Sequence, residues 1–188
     1  AYRVREDGSI SEGKQSDTLV YVNAAFFDPE MEFTLTSQAS NDVEKLKDQL
    51  TEKMPSENFF YVFKIHGTFD YMKCGGVPKQ EPPFDKGLDV LIPNRPVFEG
   101  NTVSGTIIGF YCPDFIGNIN VKGFHFHFIS DDKKLGGHVM EFTSTQDLTV
   151  GMDKKTDYHF VLPDNPDFEN VRLEKEFQYQ TAAPQEVK

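Results

Sequence analysis

The sequence predicts an α+β fold built largely on antiparallel sheet, as one large domain or two small ones. Most segments carry the apolar and β-branched content of strands, one has the 3.6-residue period of a helix, and Gly- and Pro-containing stretches break them up. With 188 residues the chain is long enough to bury roughly 70% of its unfolded surface, so a core forms without staples.

The elements follow in order. "YRVRED", "DTLVYVNAAFF" and "MEFTLTS" are strand candidates. A helix is expected next, over 41–54. Ser40 or Asn41 caps it, Glu44 stands three residues after Asn41, and Val43, Leu46, Leu50 and Met54 line one face before Pro55 stops it. "NFFYVFKI" and "GTFDYMK" then read as two strands joined by a turn at His66-Gly67. "GGVPKQEPPFDKG" is a loop, "LDVLIPN" is ambiguous, and "NTVSGTIIGFYC" is a buried strand. "GFHFHFIS", "GGHVMEFTS" and "DYHFVLP" are further strands, "DFENVRLEKEFQY" has helical character, and "TAAPQEVK" is a tail.

Composition narrows the function. A net charge of −11 repels phosphate backbones and anionic lipid surfaces, so nucleic acid and membranes are excluded as partners. No apolar run approaches the ~20 residues of a membrane span, and "AYRVREDGSI" lacks the apolar centre of a signal peptide. A soluble protein, cytoplasmic or secreted, is expected. The strand-like "YRVR" and the missing initiator Met suggest that the natural N-terminus lies upstream. Cys74 and Cys112 do not make a disulfide framework. They either pair in an oxidising compartment or stay as buried thiols, the commoner fate.

The chemistry concentrates in "GFHFHFISDDKKLGGHV", Gly123–Val139. On a strand, His125 and His127 share one face while Phe124, Phe126 and Phe128 point to the other, into a core. "SDDKKLGG" is the turn, and His138 follows on the return strand, sharing a face with Met140 and Phe142. If His127 and His138 lie opposite or diagonal, their Cβ atoms fall roughly 5–7 Å apart. Three imidazoles on one hairpin then converge on a metal. Nitrogen ligands without sulfur suggest Zn²⁺ first, although nickel, copper or iron also accept imidazole. Three ligands leave positions open, the catalytic pattern. His66, in a turn, and His159, in a strand, are weaker candidates.

The histidine pair alone is similar to the α-carbonic anhydrases, but their third histidine comes from much further along the chain. A cupin would need a glutamate soon after the pair. Across nearly the whole chain the sequence resembles acetolactate decarboxylase instead, through "GTFDYMK", "VPKQEPPF", "GTIIGFYCPDF", "GNINVKGFHFHFISDD" and "GGHVMEF". The resemblance implies that His125, His127 and His138 are zinc ligands. It also implies decarboxylation of 2-acetolactate, a 2-hydroxy-3-keto acid, to acetoin. It further implies two sheet-based subdomains, with 1–75 the remainder of the first and 76–188 the metal-binding second, and a homodimer joined through N-terminal strands.

The chain departs from the family pattern at three points. An arginine expected in a K-T-R-T-V-P-like stretch is replaced in "KCGGVPKQE" by Gly75, leaving Lys73 or Lys79 as substitute cations. Restoring Gly75→Arg is expected to raise activity if the site is otherwise whole. A family strand with its glutamate would align upstream of Ala1. A C-terminal glutamate has Glu174, Glu176 and Glu186 as candidates. The proton donor is therefore unassigned, and the alternative is a degenerate member that binds metal or a small ligand without turnover.

Overall fold

Two sixteen-residue strands, β4 (Phe60–Gly75) and β5 (Val97–Cys112), run antiparallel along almost their whole length and organise the molecule. The computed structural model describes residues 1–17, 22–37, 42–80, 87–117 and 119–170. Around β4 and β5 lie β3 (Met31–Leu35), β6 (Gly123–Ser130), β7 (Gly136–Thr143) and β8 (Leu148–Lys155), in the order β3-β8-β4-β5-β6-β7 with every pair antiparallel. The end of β4 also pairs with β7, so β4, β5, β6 and β7 close on themselves. The expected α+β class holds.

Four strand expectations change. Residues 22–27, the described part of "DTLVYVNAAFF" after Asp17, form no strand. His66-Gly67 is not a turn: both residues lie inside β4, with His66 opposite Thr106 and Gly67 opposite Gly105. Gly67 serves close approach instead, because a Cβ there would stand 2.5 Å from Leu148 Cδ2. That neighbour belongs to β8, a strand the sequence reading passed over although Leu148, Val150 and Met152 alternate into the core. "DYHFVLP" forms no strand, and Phe160, Val161 and Leu162 are exposed.

The helix α1 (Val43–Lys53) forms as its periodicity predicts, with Leu46 and Leu50 fully buried. Its cap is Asp42, whose carboxylate accepts from Lys45 N at 2.9 Å; Ser40 and Asn41 lie outside the described residues. A short helix α2 (Leu88–Leu91) runs into a 3₁₀ turn, Ile92–Asn94, resolving the ambiguous "LDVLIPN". At the N-terminus, β1 (Tyr2–Val4) and β2 (Ile10–Glu12) make a separate hairpin. Glu6 of that hairpin accepts from Lys79 N at 2.7 Å.

The core sits between the strands and α1. Phe69 is its centre: Phe128 and Phe142 meet it edge-on, with ring centroids 5.4 and 5.2 Å away. Each such ring stabilises the fold by about 1.5–3 kcal/mol through burial. Cys74 and Cys112 are free and buried, as the commoner reading expected. Burial pushes the Cys74 thiol up to about 12, so it is inert at neutral pH.

The chain forms two compact units, Ala1–Thr156 and Asp157–Lys188. The boundary anticipated at 75/76 coincides with the end of β4, and the six-stranded sheet draws strands from both sides of it. Within the second unit, α3 (Pro166–Asn170) is capped by Asn165, whose Oδ1 accepts from Phe168 N. The rest of the expected C-terminal helix, with Glu174, Glu176 and Glu186, lies outside the described residues. No helix among the described residues is long and apolar enough to cross a membrane.

Candidate metal centre

The turn after β6 sets the register of the site. Ser130 is buried, and its hydroxyl oxygen accepts from Lys134 N at 3.0 Å and Leu135 N at 2.9 Å. The same hydroxyl donates to Asp132 at 2.8 Å. This knot brings β7 back so that His127 pairs directly with His138, and Ile129 with Gly136. Phe126 and Phe128 occupy the opposite face of β6 within the core, and Phe124 packs against it, as the alternation requires.

β7 departs from simple alternation. Cys74 pairs with Val139 but Lys73 pairs with Glu141, leaving Met140 as an extra residue. This bulge reverses the parity of the strand: Val139 and Phe142 both enter the core although they are three apart. His138 therefore does not share a face with Phe142 as expected.

The three imidazoles converge. Their ring centroids are 5.1 Å (His125–His127), 4.8 Å (His125–His138) and 5.4 Å (His127–His138) apart. His125 Nε2 stands 3.1 Å from His127 Nε2 and 3.3 Å from His138 Nδ1. Nitrogens bound at ~2.0–2.1 Å to one tetrahedral ion are about 3.3–3.4 Å apart, close to these two separations, and all three donors lie within 4.8 Å of one another, so they can gather on a single divalent cation. Among the described residues this cluster contains the three histidines and no carboxylate.

Electrostatics keep the donors ready. Burial lowers all three imidazoles below their usual value. His127 is exposed as a residue, yet its Nε2 faces the other rings; burial and then the neighbouring His125 bring it down to about 4. His138 falls to about 3, through burial, then His125 and His127, then Arg95 and Lys47. All three are neutral at pH 7, the state in which imidazole binds metal.

The other sequence candidates lie elsewhere. His66 is exposed with its Nε2 3.2 Å from Asp131, and His159 is exposed, 3.4 Å from Asp157. Lys73 faces Glu99 at 3.5 Å, and the backbone of Lys79 is held by Glu6.

Gly75 is directly opposite His138. A Cβ at Gly75 would lie 2.8 Å from Met140 Sδ, 3.0 Å from Arg95 Nε and 3.1 Å from Arg95 Cδ. The bare position is thus already filled by Arg95 and Met140, which changes what Gly75→Arg would do. Sequence reasoning missed Arg95 because it stands twenty residues from Gly75. Its one local signal is Pro96, which restricts the preceding residue to extended backbone.

The profile of the alpha-acetolactate decarboxylase family matches residues 1–175. The alpha-acetolactate decarboxylase of Bacillus licheniformis is 34% identical over 167 residues, covering 89% of this chain and 64% of the relative. That of Methanosarcina mazei is 32% identical over 177 residues, covering 94% and 60%. The chain thus spans a little under two thirds of the length of these relatives. The crystal structure of the Bacillus subtilis strain 168 enzyme superimposes with a TM-score of 0.84 at 30% identity, covering 93% of this chain and 73% of that one. Sequence, register and overall superposition agree: the chain belongs to the alpha-acetolactate decarboxylase family.

Proposed function

We propose that the protein is a zinc-dependent carboxy-lyase that converts 2-acetolactate to acetoin and CO₂. The observation that carries this reading is the convergence of His125, His127 and His138 within 4.8 Å, with no fourth ligand among the described residues. His125, His127 and His138 would hold the zinc, which would supply Lewis-acid stabilisation for the negative charge that develops as CO₂ leaves. The chain's own part is to hold three neutral donors on one rigid ribbon. The phenylalanines behind β6 fix the ring positions, and the Ser130 turn fixes the register.

The test is direct. The zinc-loaded protein is incubated with racemic 2-acetolactate and acetoin is followed. Turnover that a chelator abolishes supports the reading; background acetoin at high protein concentration removes it. In keeping with the resemblance, the assembly is proposed to be a homodimer, and a native mass equal to one chain would remove that part.

A second reading has two observations in its favour. Gly75 takes the place of the expected arginine, and the described cluster holds no acidic group. A member that binds metal or a small ligand without turnover would take up zinc yet leave acetolactate intact.

A further inference from the structure

The geometry points to Arg95 as the residue that binds the substrate's carboxylate, reaching the metal site across the bare backbone of Gly75. The inference rests on the reading of the site as one for 2-hydroxy-3-keto acids. Such a substrate carries a carboxylate beside the two oxygens that a metal would chelate. Neutral imidazoles offer it no countercharge.

Three observations place a guanidinium there. Gly75 pairs with His138, and a Cβ on Gly75 would come within 3.0 Å of Arg95 Nε. Any side chain at position 75 would therefore have to shift Arg95. Second, the backbone that carries Arg95 is fixed. Arg95 N donates to Ile92 O at 3.3 Å, its φ of −67° and ψ of 147° suit a residue before proline, and Gly76 N donates to Pro96 O at 3.1 Å. Third, among the described residues no carboxylate forms an ion pair with Arg95. Lys73, by contrast, faces Glu99. A planar fork of donors on a fixed backbone is suited to holding a carboxylate by two parallel hydrogen bonds.

The experiment uses the zinc-loaded chain and two probes. One is 2-hydroxy-2-methylpropanoate, a 2-hydroxy acid that has no ketone and does not decarboxylate. The other is acetoin, a ketol without a carboxylate. Affinities are measured by calorimetry for the wild type, Arg95→Met, which keeps much of the aliphatic stem, and Arg95→Lys, with zinc content checked for each. Arg95→Met is expected to weaken the hydroxy acid by about tenfold to a hundredfold and to leave acetoin unchanged, while Arg95→Lys recovers part of the loss.

Equal weakening of both probes, loss of zinc in Arg95→Met, or no change in either probe would overturn the assignment. Acetolactate turnover in the wild type tells the two ideas apart. Turnover with unchanged hydroxy-acid binding in Arg95→Met keeps the decarboxylase reading and discards Arg95. Selective loss of hydroxy-acid binding without turnover keeps Arg95 and discards the decarboxylase. A wild type that turns over acetolactate but does not bind the hydroxy acid overturns the assignment of Arg95 alone.

Discussion

The β6–β7 hairpin and the corner where Gly75 meets Arg95 are built in opposite ways. In the hairpin, the histidines fall within fourteen residues, and local alternation with one turn brings them together. At the corner, two residues twenty apart meet only because β4 pairs with β5 on one side and with β7 on the other. The hairpin keeps its donors by sequence identity. The corner can trade a side chain on one strand for a side chain from its neighbour, provided that the space is filled. On the proposed role of Arg95, positions made by pairing can migrate, whereas those made by local pattern stay fixed residue by residue.

The largest effect that separates fold from site is expected within β6 itself. Phe128 is 3% exposed, and Phe128→Ala should cost about 3–5 kcal/mol in urea unfolding while the remaining folded protein still takes up zinc. His127→Ala is the mirror case. It should lower zinc affinity by more than about a hundredfold in competition with a chelator, since even partners of ligands are worth tenfold to a hundredfold. The metal-free protein should change by less than about 0.5 kcal/mol, because His127 is exposed. If both substitutions moved both quantities alike, the two faces of β6 would not be separable.

The corner is sharpened by a swap. Gly75→Arg alone would set a second cation against Arg95 and crowd Met140 Sδ. It is expected to lower kcat/KM by about fivefold, about 1 kcal/mol, rather than to raise it. The double variant G75R/R95A removes the conflict and should recover most of that loss. An increase with Gly75→Arg alone would mean that the corner is empty in solution.

A further effect is on pH. In the unfolded chain histidine titrates near its ordinary 6.5, whereas folded His127 and His138 accept protons only at about 4 and about 3. Between those limits the unfolded chain binds more protons, so the stability of the metal-free protein rises with pH from about 4 to 6.5 and levels off above. Urea midpoints in the presence of chelator check this. A midpoint that fell as pH rose through that window would contradict the lowered titration of the rings.

What the sequence revealed follows the same division. The hairpin was legible because alternation and a Gly-Gly pair are local. α1 was legible because four apolar residues keep a helical period. The errors fall where meaning depends on a distant partner. Gly67 reads as a turn until Leu148 of β8 is placed against it. Met140 reads as ordinary alternation until Cys74 and Lys73 show the bulge. Gly75 reads as open space until Arg95 Nε and Met140 Sδ are found beside it.

The central claim is that three imidazoles from one hairpin grip a single cation and leave it accessible. X-ray absorption at the zinc edge of the loaded protein tests it most directly. The account predicts three imidazole nitrogens at about 2.0–2.1 Å with the remaining coordination by light, exchangeable oxygen. A sulfur shell near 2.3 Å, or fewer than three imidazoles on the metal, would contradict it.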